Sequence, residues 1–403
     1  MTVIDKDDRK AISSFGEIFW IFLKLGLTCF GGPVAHIGYF REEFVVRRKW
    51  LTDGDYADLV ALSQFLPGPA SSKVGFTLGL IRGGGLGGGL AAWLGFTLPS
   101  AIILFAAAMS AGSLSGPTAE AVIHGLKLVA VVVVAHAVFG MMRSLTPDRT
   151  RLAIGLAALA IVILFAGAWA QILAIFAGLL AGMFLCRETN EPVAADYLHD
   201  LVPIRAGAIA LTLFGLLFLV PVAVAGMAAD LFSVFYRAGA LVFGGGHVLL
   251  PLLESELVSP GLVTVERFLA GYGITQAMPG PLFTFAAWLG AVSNTQLVPA
   301  VAAGIALVAV FLPGMLLAYG VLPFWASLRR SKLMRSAMRG GNAAVVGILA
   351  GALYDPVWTS SVISPLDFLT VAIGLALLAS WRVSPLMVVF LVTGFATFSR
   401  LLA

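Results

Sequence analysis

The sequence predicts an all-α polytopic membrane protein: two inverted-topology repeats with broken or re-entrant helices and about 13 apolar segments. Three observations carry this: an apolar composition in long blocks, basic residues confined to particular loops, and an ordered internal repeat. Hydrophobic residues fill 60% of the 403 positions and charged residues 11%, against roughly a quarter charged in a soluble domain. Blocks such as Leu126–Met142 and Leu152–Phe165 approach the length a helix needs to cross a bilayer core. The 45 glycines suit membrane helices that pack closely or break.

The apolar segments run over 15–33, 56–81, 86–109, 119–142, 151–167, 169–186, 205–228, 231–251, 268–291, 297–325, 341–354, 366–380 and 384–399. Met1–Lys10 is charged and leads into no cleavage site, so no signal peptide is expected. Basic residues sit between segments at Arg143, Arg149 and Arg151, at Arg187 and Arg205, and from Arg329 to Arg339. The positive-inside rule makes these loops cytoplasmic and the protein a multi-pass component of the cell inner membrane. The net charge of +4 therefore reports topology, and no nucleic-acid partner is implied. Cys29 and Cys186 lie in apolar segments and suggest neither a disulfide nor a metal site.

Thirteen full crossings would place the basic loop Arg41–Trp50 outside. If the first two segments dip in and return, breaking at Gly31-Gly32-Pro33 and Pro67-Gly68-Pro69, this loop stays inside. The corresponding acidic loop, with Glu254, Glu256 and Glu266, would then lie outside. The broken-helix count is preferred because it removes the conflict.

The repeat sets the architecture. Phe30-Gly31-Gly32 recurs as Phe243-Gly244-Gly245, with Lys24 and Arg237 each six residues earlier. Gln64-x-x-Pro67-Gly68-Pro69 recurs as Gln276-x-x-Pro279-Gly280-Pro281, preceded by Thr52 and Thr264, and Leu98-Pro99 recurs as Leu312-Pro313. The first repeat spans 11–186 and the second, inverted, 231–403. The linker 187–230 holds one extra transmembrane helix, which starts the second repeat from the opposite side. In secondary transporters built this way, the substrate site lies between the repeats at discontinuous helices.

The Pro-Gly-Pro triplets mark where chemistry is expected. A helix cannot pass through two prolines flanking a glycine undisturbed. Buried backbone freed there needs protein, water or ligand to satisfy it. New helices are expected from Ala70 and Leu282, and their unpaired N–H groups form an anion site. Ser71, Ser72 and Lys73 add hydroxyl donors and a charge to the first; Phe285 replaces the lysine in the second. His36 and His247 are candidates for carrying a proton or donating to the anion, and Gln64 and Gln276 offer neutral donors one turn before the breaks. Lys24 and Arg237 either attract substrate or snorkel to an interface, and Lys127 reads as an anchor at the mouth of its helix. Glu42 and Glu43 read as a solvated face among Arg41, Arg47 and Arg48. The glycine-rich stretch Arg82–Gly89 lacks a phosphate-binding context and reads as a turn.

At these residues the chain resembles the chromate ion transporter family in its long, two-domain form, over nearly its whole length. The resemblance rests on Phe30-Gly31-Gly32-Pro33 with His36, both Pro-Gly-Pro triplets with their glutamines, and the duplicated halves. It implies export of chromate, with sulfate as structural mimic, and no cofactor. It places substrate binding at Gly31, Gly32, Pro33, Gln64, Pro67, Gly68, Pro69, Gly244, Gly245, Gln276, Pro279, Gly280 and Pro281. Gly246 stands where the second motif would have its proline. The expected machine is a secondary active transporter linked to protons or to anion exchange, and a homodimer is compatible with it. An anion channel or a sulfate transporter would use the same breaks. Glu42-Glu43-x-x-x-Arg47 and Phe243-x-x-x-His247 match two short motifs of the prenyl-protein (CAAX-type) protease family, in different halves and without the His-x-x-x-Asn that would complete a site; no enzyme is expected.

Overall fold

The computed structural model describes residues 13–30, 32–111, 116–165, 168–186, 201–219, 224, 226–242, 246–325, 328 and 331–402. Among them are seventeen α-helices and no strand. The first half contains α1 (Phe15–Thr28), α2 (Gly32–Arg41, continued by a π-helical turn, Glu42–Arg47), α3 (Asp53–Phe65), α4 (Ala70–Gly83), α5 (Leu86–Ala111), α6 (Pro117–Leu145), α7 (Arg149–Leu164) and α8 (Ala168–Leu185). After α9 (Ile204–Leu216), the second half repeats the order as α10 (Met227–Leu241), α11 (Leu249–Leu257), α12 (Val265–Gln276), α13 (Phe285–Val292), α14 (Pro299–Val321), α15 (Lys332–Ala352), α16 (Pro365–Ala379) and α17 (Pro385–Leu402).

Local chemistry explains the starts. Thr52 caps α3 by accepting from the Asp55 N–H at 3.2 Å, and Asp55 reaches back to the Thr52 N–H. Thr264, its counterpart, caps α12 through the Arg267 N–H. The repeated threonine thus has a structural role: it satisfies backbone donors that a helix start leaves unpaired.

Both broken segments of the first half return to the side they came from. The ring of Phe22 in α1 lies 5.1 Å from that of Phe44, beyond α2; along a continuous helix they would be about 33 Å apart. The Arg82 guanidinium, in the last turn of α4, sits 5.3 Å from the Trp50 ring, just before α3. The Ser13 N–H, before α1, donates to the Arg82 carbonyl at 3.0 Å. The outer ends of all four helices therefore meet at one face, and Arg41, Arg47, Arg48 and Lys49 stay on the side where the chain entered. The second half has the same two hairpins: Arg237 of α10 pairs with Glu256 of α11 at 2.9 Å, and the Asn294 N–H after α13 donates to the Leu262 carbonyl before α12 at 2.8 Å.

The inversion follows from α5. It leaves the face marked by Arg82, runs for about 39 Å and ends with Ala108 and Met109 in the wall of a cavity of about 530 Å³. Leu262, Asn294 and Thr295, from the hairpin ends of the second half, line the same cavity. The two sets of hairpins enter from opposite faces. Leu86–Ser110, Glu120–Leu145 and Pro299–Phe324 are long and apolar enough to cross a bilayer outright. The halves also exchange their last helices: α7 and α8 pack on α15, while α16 and α17 pack on α6. Exposed Trp20, Trp169, Phe184 and Trp381 give the outer surface an apolar, aromatic character suited to lipid.

Some expectations are refined. The second new helix opens with a 3-10 turn, Leu282–Thr284, and becomes α-helical at Phe285. Lys127 lies well inside α6 rather than at its mouth. Within Arg82–Gly89 the turn between α4 and α5 is Gly84-Gly85, with Gly84 at φ 66°, and the flanking residues belong to the two helices. Glu42 and Glu43 pair with Arg47 and Arg48.

Candidate functional site

The site is built where α1 and α10 stop and where α4 and α13 begin. After Leu25–Thr28 the chain turns extended at Cys29 (φ −85°, ψ 100°), and α2 starts at Gly32, followed by Pro33. Gly31, Gly244 and Gly245 lie outside the described residues. At the two triplets the backbone does the same thing twice: Gly68 has φ 98° and Gly280 φ 90°, a region that L side chains occupy only with strain. Pro69 and Pro281 follow in extended conformation, each the cap of the helical turn behind it.

Each triplet is fastened to the opposite half. The Gly68 N–H donates to the Val242 carbonyl at 2.7 Å, and the Gly280 N–H donates to the Cys29 carbonyl at 2.8 Å. Cys29 and Val242 are repeat-equivalent residues, each immediately before its Phe-Gly-Gly. A Cβ on Gly68 would lie 2.9 Å from Gly314 Cα, beside Pro313; one on Gly280 would lie 3.0 Å from Ser100 Oγ and 3.1 Å from the Phe96 carbonyl, beside Pro99. The repeated Leu-Pro of α5 and α14 is thus the seat on which the other half's break rests. These reciprocal bonds satisfy amides that the prolines freed, which is the condition for broken backbone inside a membrane.

The side chains around the first break converge. His36, fully buried on α2, donates through Nε2 to the Cys29 carbonyl at 3.2 Å. Since a carbonyl only accepts, Nε2 carries the proton, and Nδ1 faces the Ser71 hydroxyl at 3.4 Å. Ser72 is 3% exposed, and its hydroxyl has no hydrogen-bond partner; leaving a hydroxyl so costs about 1–3 kcal/mol, which an arriving acceptor oxygen would recover. Lys73 is 1% exposed. Its ammonium reaches back to the carbonyls of Leu66 and of Pro67, the latter at 2.9 Å. These are acceptors that the end of α3 leaves free, so the lysine closes one helix while standing in the first turn of the next.

The second break carries a different set. His247 Nδ1 lies 2.6 Å from the Tyr272 hydroxyl, and Gln276, one turn further along α12, has its Nε2 buried without a hydrogen-bond partner. Pro279, Gly280 and Pro281 are buried. Arg237 is engaged, donating to Ser233 Oγ at 2.7 Å and to Glu256. The structure does not draw every candidate inward. Lys24 and Gln64 are exposed, on α1 and α3. What sequence reasoning missed are the backbone acceptors Cys29 and Val242, for which residue type gives no signal, and Tyr272, whose four-residue spacing from Gln276 was the available clue.

A family model described as a chromate transporter matches residues 16–183 and again 229–398. The chain belongs to the chromate transporter family. It is 29% identical over 378 residues to the chromate transport protein of Pseudomonas aeruginosa, covering 92% of this chain and 88% of that one. It is 25% identical to the chromate transport protein of Cupriavidus metallidurans, over 84% of this chain and 81% of that one. An uncharacterised transporter of Methanocaldococcus jannaschii is 25% identical over 96% of this chain and 91% of its own. No solved structure matches the chain. The two matched stretches correspond to α1–α8 and α10–α17. This chromate transporter family member is thus a membrane transport protein, and its named relatives are transporters, not enzymes.

Proposed function

We propose that the protein is a secondary active transporter that exports chromate from the cytoplasm across the inner membrane, and that sulfate, also a tetrahedral dianion, serves as its analogue. The anion would lie at the first turn of α4, taking N–H groups of Ala70–Ser72 together with the Ser71 and Ser72 hydroxyls. Lys73 would turn its ammonium from the Leu66 and Pro67 carbonyls toward the bound oxygens. The observation that carries this reading is the buried, unpartnered Ser72 hydroxyl beside a buried lysine at a helix start. Gly32, Pro33, Pro67, Gly68 and Pro69 on one side, and Pro279, Gly280 and Pro281 on the other, shape the break and keep its amides in place.

Sealed vesicles holding the purified protein test this. Chromate flux that a membrane potential or an ion gradient drives uphill is the expected result. Flux that only ever runs downhill would make the protein a channel, and the absence of flux for chromate and sulfate alike would end the proposal.

A further inference from the structure

The cavity between the end of α5 and the hairpin ends of the second half is lined by groups that the α4 site does not use. Its volume is about 530 Å³, and it lies at the face opposite the basic Arg41–Lys49 loop. Backbone bonds fix its rim. The Asn294 N–H donates to the Leu262 carbonyl and the Thr295 N–H to the Ser293 carbonyl, each at 2.8 Å. Trp288, buried on α13, donates from its ring N–H to the Arg267 carbonyl at 3.0 Å, which pins the first turn of α12 to the wall. The Ser293 hydroxyl is engaged, donating to the Gly290 carbonyl at 2.7 Å.

The other polar groups of the wall can donate and have nothing to donate to. The Thr264 hydroxyl oxygen accepts from the Arg267 N–H at 3.4 Å, which leaves its own proton to give. Among the described residues, the Arg267 guanidinium, the Asn294 amide and the Thr295 hydroxyl have no hydrogen bond or ion pair with protein. No Asp or Glu lines the cavity; Glu266 and Asp230, in the first turns of α12 and α10, stand outside its walls. Arg267 is also out of place in its helix. It follows Thr264 by three residues, where the first half has Asp55 after Thr52. Asp55 returns a hydrogen bond to Thr52 and completes that cap, whereas a cation in a first turn opposes the helix dipole. A residue that breaks the rule its repeat partner obeys, in a cavity wall free of carboxylates, marks a functional position whose missing partner is an anion.

We propose that this cavity is a second oxyanion site, where a tetrahedral dianion that has left the α4 seat is held before it passes to the outer water. Arg267 supplies the charge, its planar fork meeting two oxygens at once, and Thr264, Asn294 and Thr295 donate to the others. The position suits release. Ser100, against which the Gly280 break rests, lies nine residues before Met109 on α5, about 14 Å along the helix. Arg267 is exposed, so solvent screens its charge and the ion is held more weakly here than at a buried lysine. The identity of the ion rests on the oxyanion reading above; the preference for an anion rests on the lining of the cavity itself.

The test reads the cavity directly, with sulfate as the probe because chromate oxidises thiols. Ser293→Cys places a thiol in the wall, and Cys186→Ser removes the half-buried native one. In vesicles of zwitterionic phospholipid, saturating sulfate should slow labelling by a water-soluble thiol reagent about tenfold, and chloride at matched ionic strength should not. Adding Arg267→Gln should raise the half-protecting sulfate concentration about tenfold or more, and adding Lys73→Ala should leave it unchanged. No protection, equal protection by chloride, or protection that survives Arg267→Gln overturns the site. A parallel loss in Lys73→Ala would mean that sulfate acts from the α4 seat, and labelling that anionic lipid slows as much as sulfate does would assign the cavity to headgroups; either overturns it. Chromate flux without protection leaves the transport reading standing, and protection without flux leaves only this site. Should Arg267→Gln fail to fold, Asn294→Ala/Thr295→Ala decides: half-protecting sulfate should rise severalfold, and an unchanged value overturns the proposal.

Discussion

In the first half, the helix behind Pro67-Gly68-Pro69 opens with Ser71, Ser72 and Lys73; in the second, the turn behind Pro279-Gly280-Pro281 opens with Leu282, Phe283, Thr284 and Phe285. The backbones that present them are alike, down to the left-handed glycine and the hydrogen bond it gives to the other half. Even Thr284, the one hydroxyl of the second set, turns back to the Pro281 carbonyl at 2.7 Å, where Ser72 has no partner. The duplication supplied two breaks that hold each other open, and only the first carries the buried serine hydroxyl and lysine of the proposed anion seat. The shared part answers to backbone physics, the unshared part to the proposed anion seat. A symmetric scaffold with one polar seat also means that the seat has a single charge to offer.

The largest expected effect falls on that seat. Lys73→Ala should lower chromate flux by about a hundredfold, equivalent to about 2.7 kcal/mol, with the protein still in the membrane. Two costs combine: the anion loses its cation, and the Leu66 and Pro67 carbonyls lose their donor. Phe285→Ala removes a buried ring packed against Phe268 and Tyr272, so it should reduce thermal stability and spare chromate affinity. Equal losses of chromate affinity in the two variants would erase the distinction between the halves.

The shared part should respond evenly. Gly68→Ala and Gly280→Ala each place a Cβ at positive φ and against the opposite half, 2.9 Å from Gly314 Cα or 3.1 Å from the Phe96 carbonyl. Each should cost about 1–3 kcal/mol in strain and displaced packing, measured as a lower unfolding temperature in detergent. A variant harmless in one half and disruptive in the other would break the pairing.

Most of this plan was legible in the sequence because its cause is local. Proline, glycine and threonine act on their own backbone, so the breaks, the caps of α3 and α12 and the repeat could be read from residue types. The return of the broken segments was readable from charge alone: Arg41, Arg47, Arg48 and Lys49 are stranded outside by any full crossing. Side-chain engagement was less legible. Lys24 and Arg237 hold equivalent positions, yet among the described residues only Arg237 meets a carboxylate, because α11 brings Glu256 to it while the hairpin of α1 and α2 packs aromatic rings. The seats of the breaks were hidden for another reason. Cys29 and Val242 act through carbonyls that every residue has.

A second asymmetry sets the next effect. In the second half α12 packs along α6, where a Cβ on Gly273 would meet the Leu126 carbonyl at 2.5 Å. Its counterpart α3 packs on α4 and α2 of its own half, leaving Ala57, Ala61 and Gln64 exposed. Gln64→Cys should therefore react with a water-soluble thiol reagent at least about tenfold faster than Gln276→Cys, the gap expected if opening the packed helix costs about 1.4 kcal/mol or more. Reagent applied from the cytoplasmic face should reach Gln64→Cys first. Equal rates would show that both halves are equally open in the membrane.

The smallest effect concerns the repeated basic residue. The Arg237–Glu256 pair is partly exposed, at 33% and 21% of the two side chains, so solvent screens it and its worth is about 0.2–1 kcal/mol. Arg237→Ala should cost that much stability, and adding Glu256→Ala should cost little more, because the first change already removes the interaction that the second would break. Lys24→Ala, on the exposed face of α1, should leave unfolding unchanged within about 0.5 kcal/mol. Chromate flux makes the sharper readout. If Lys24→Ala slows flux and added salt slows the wild type by the same factor, Lys24 draws anions toward the break from a distance, as a screened surface charge does. If flux is unmoved, the cation at this repeated position is retained for the lipid headgroups that a long side chain can reach, and the attraction of substrate rests on Lys73 alone.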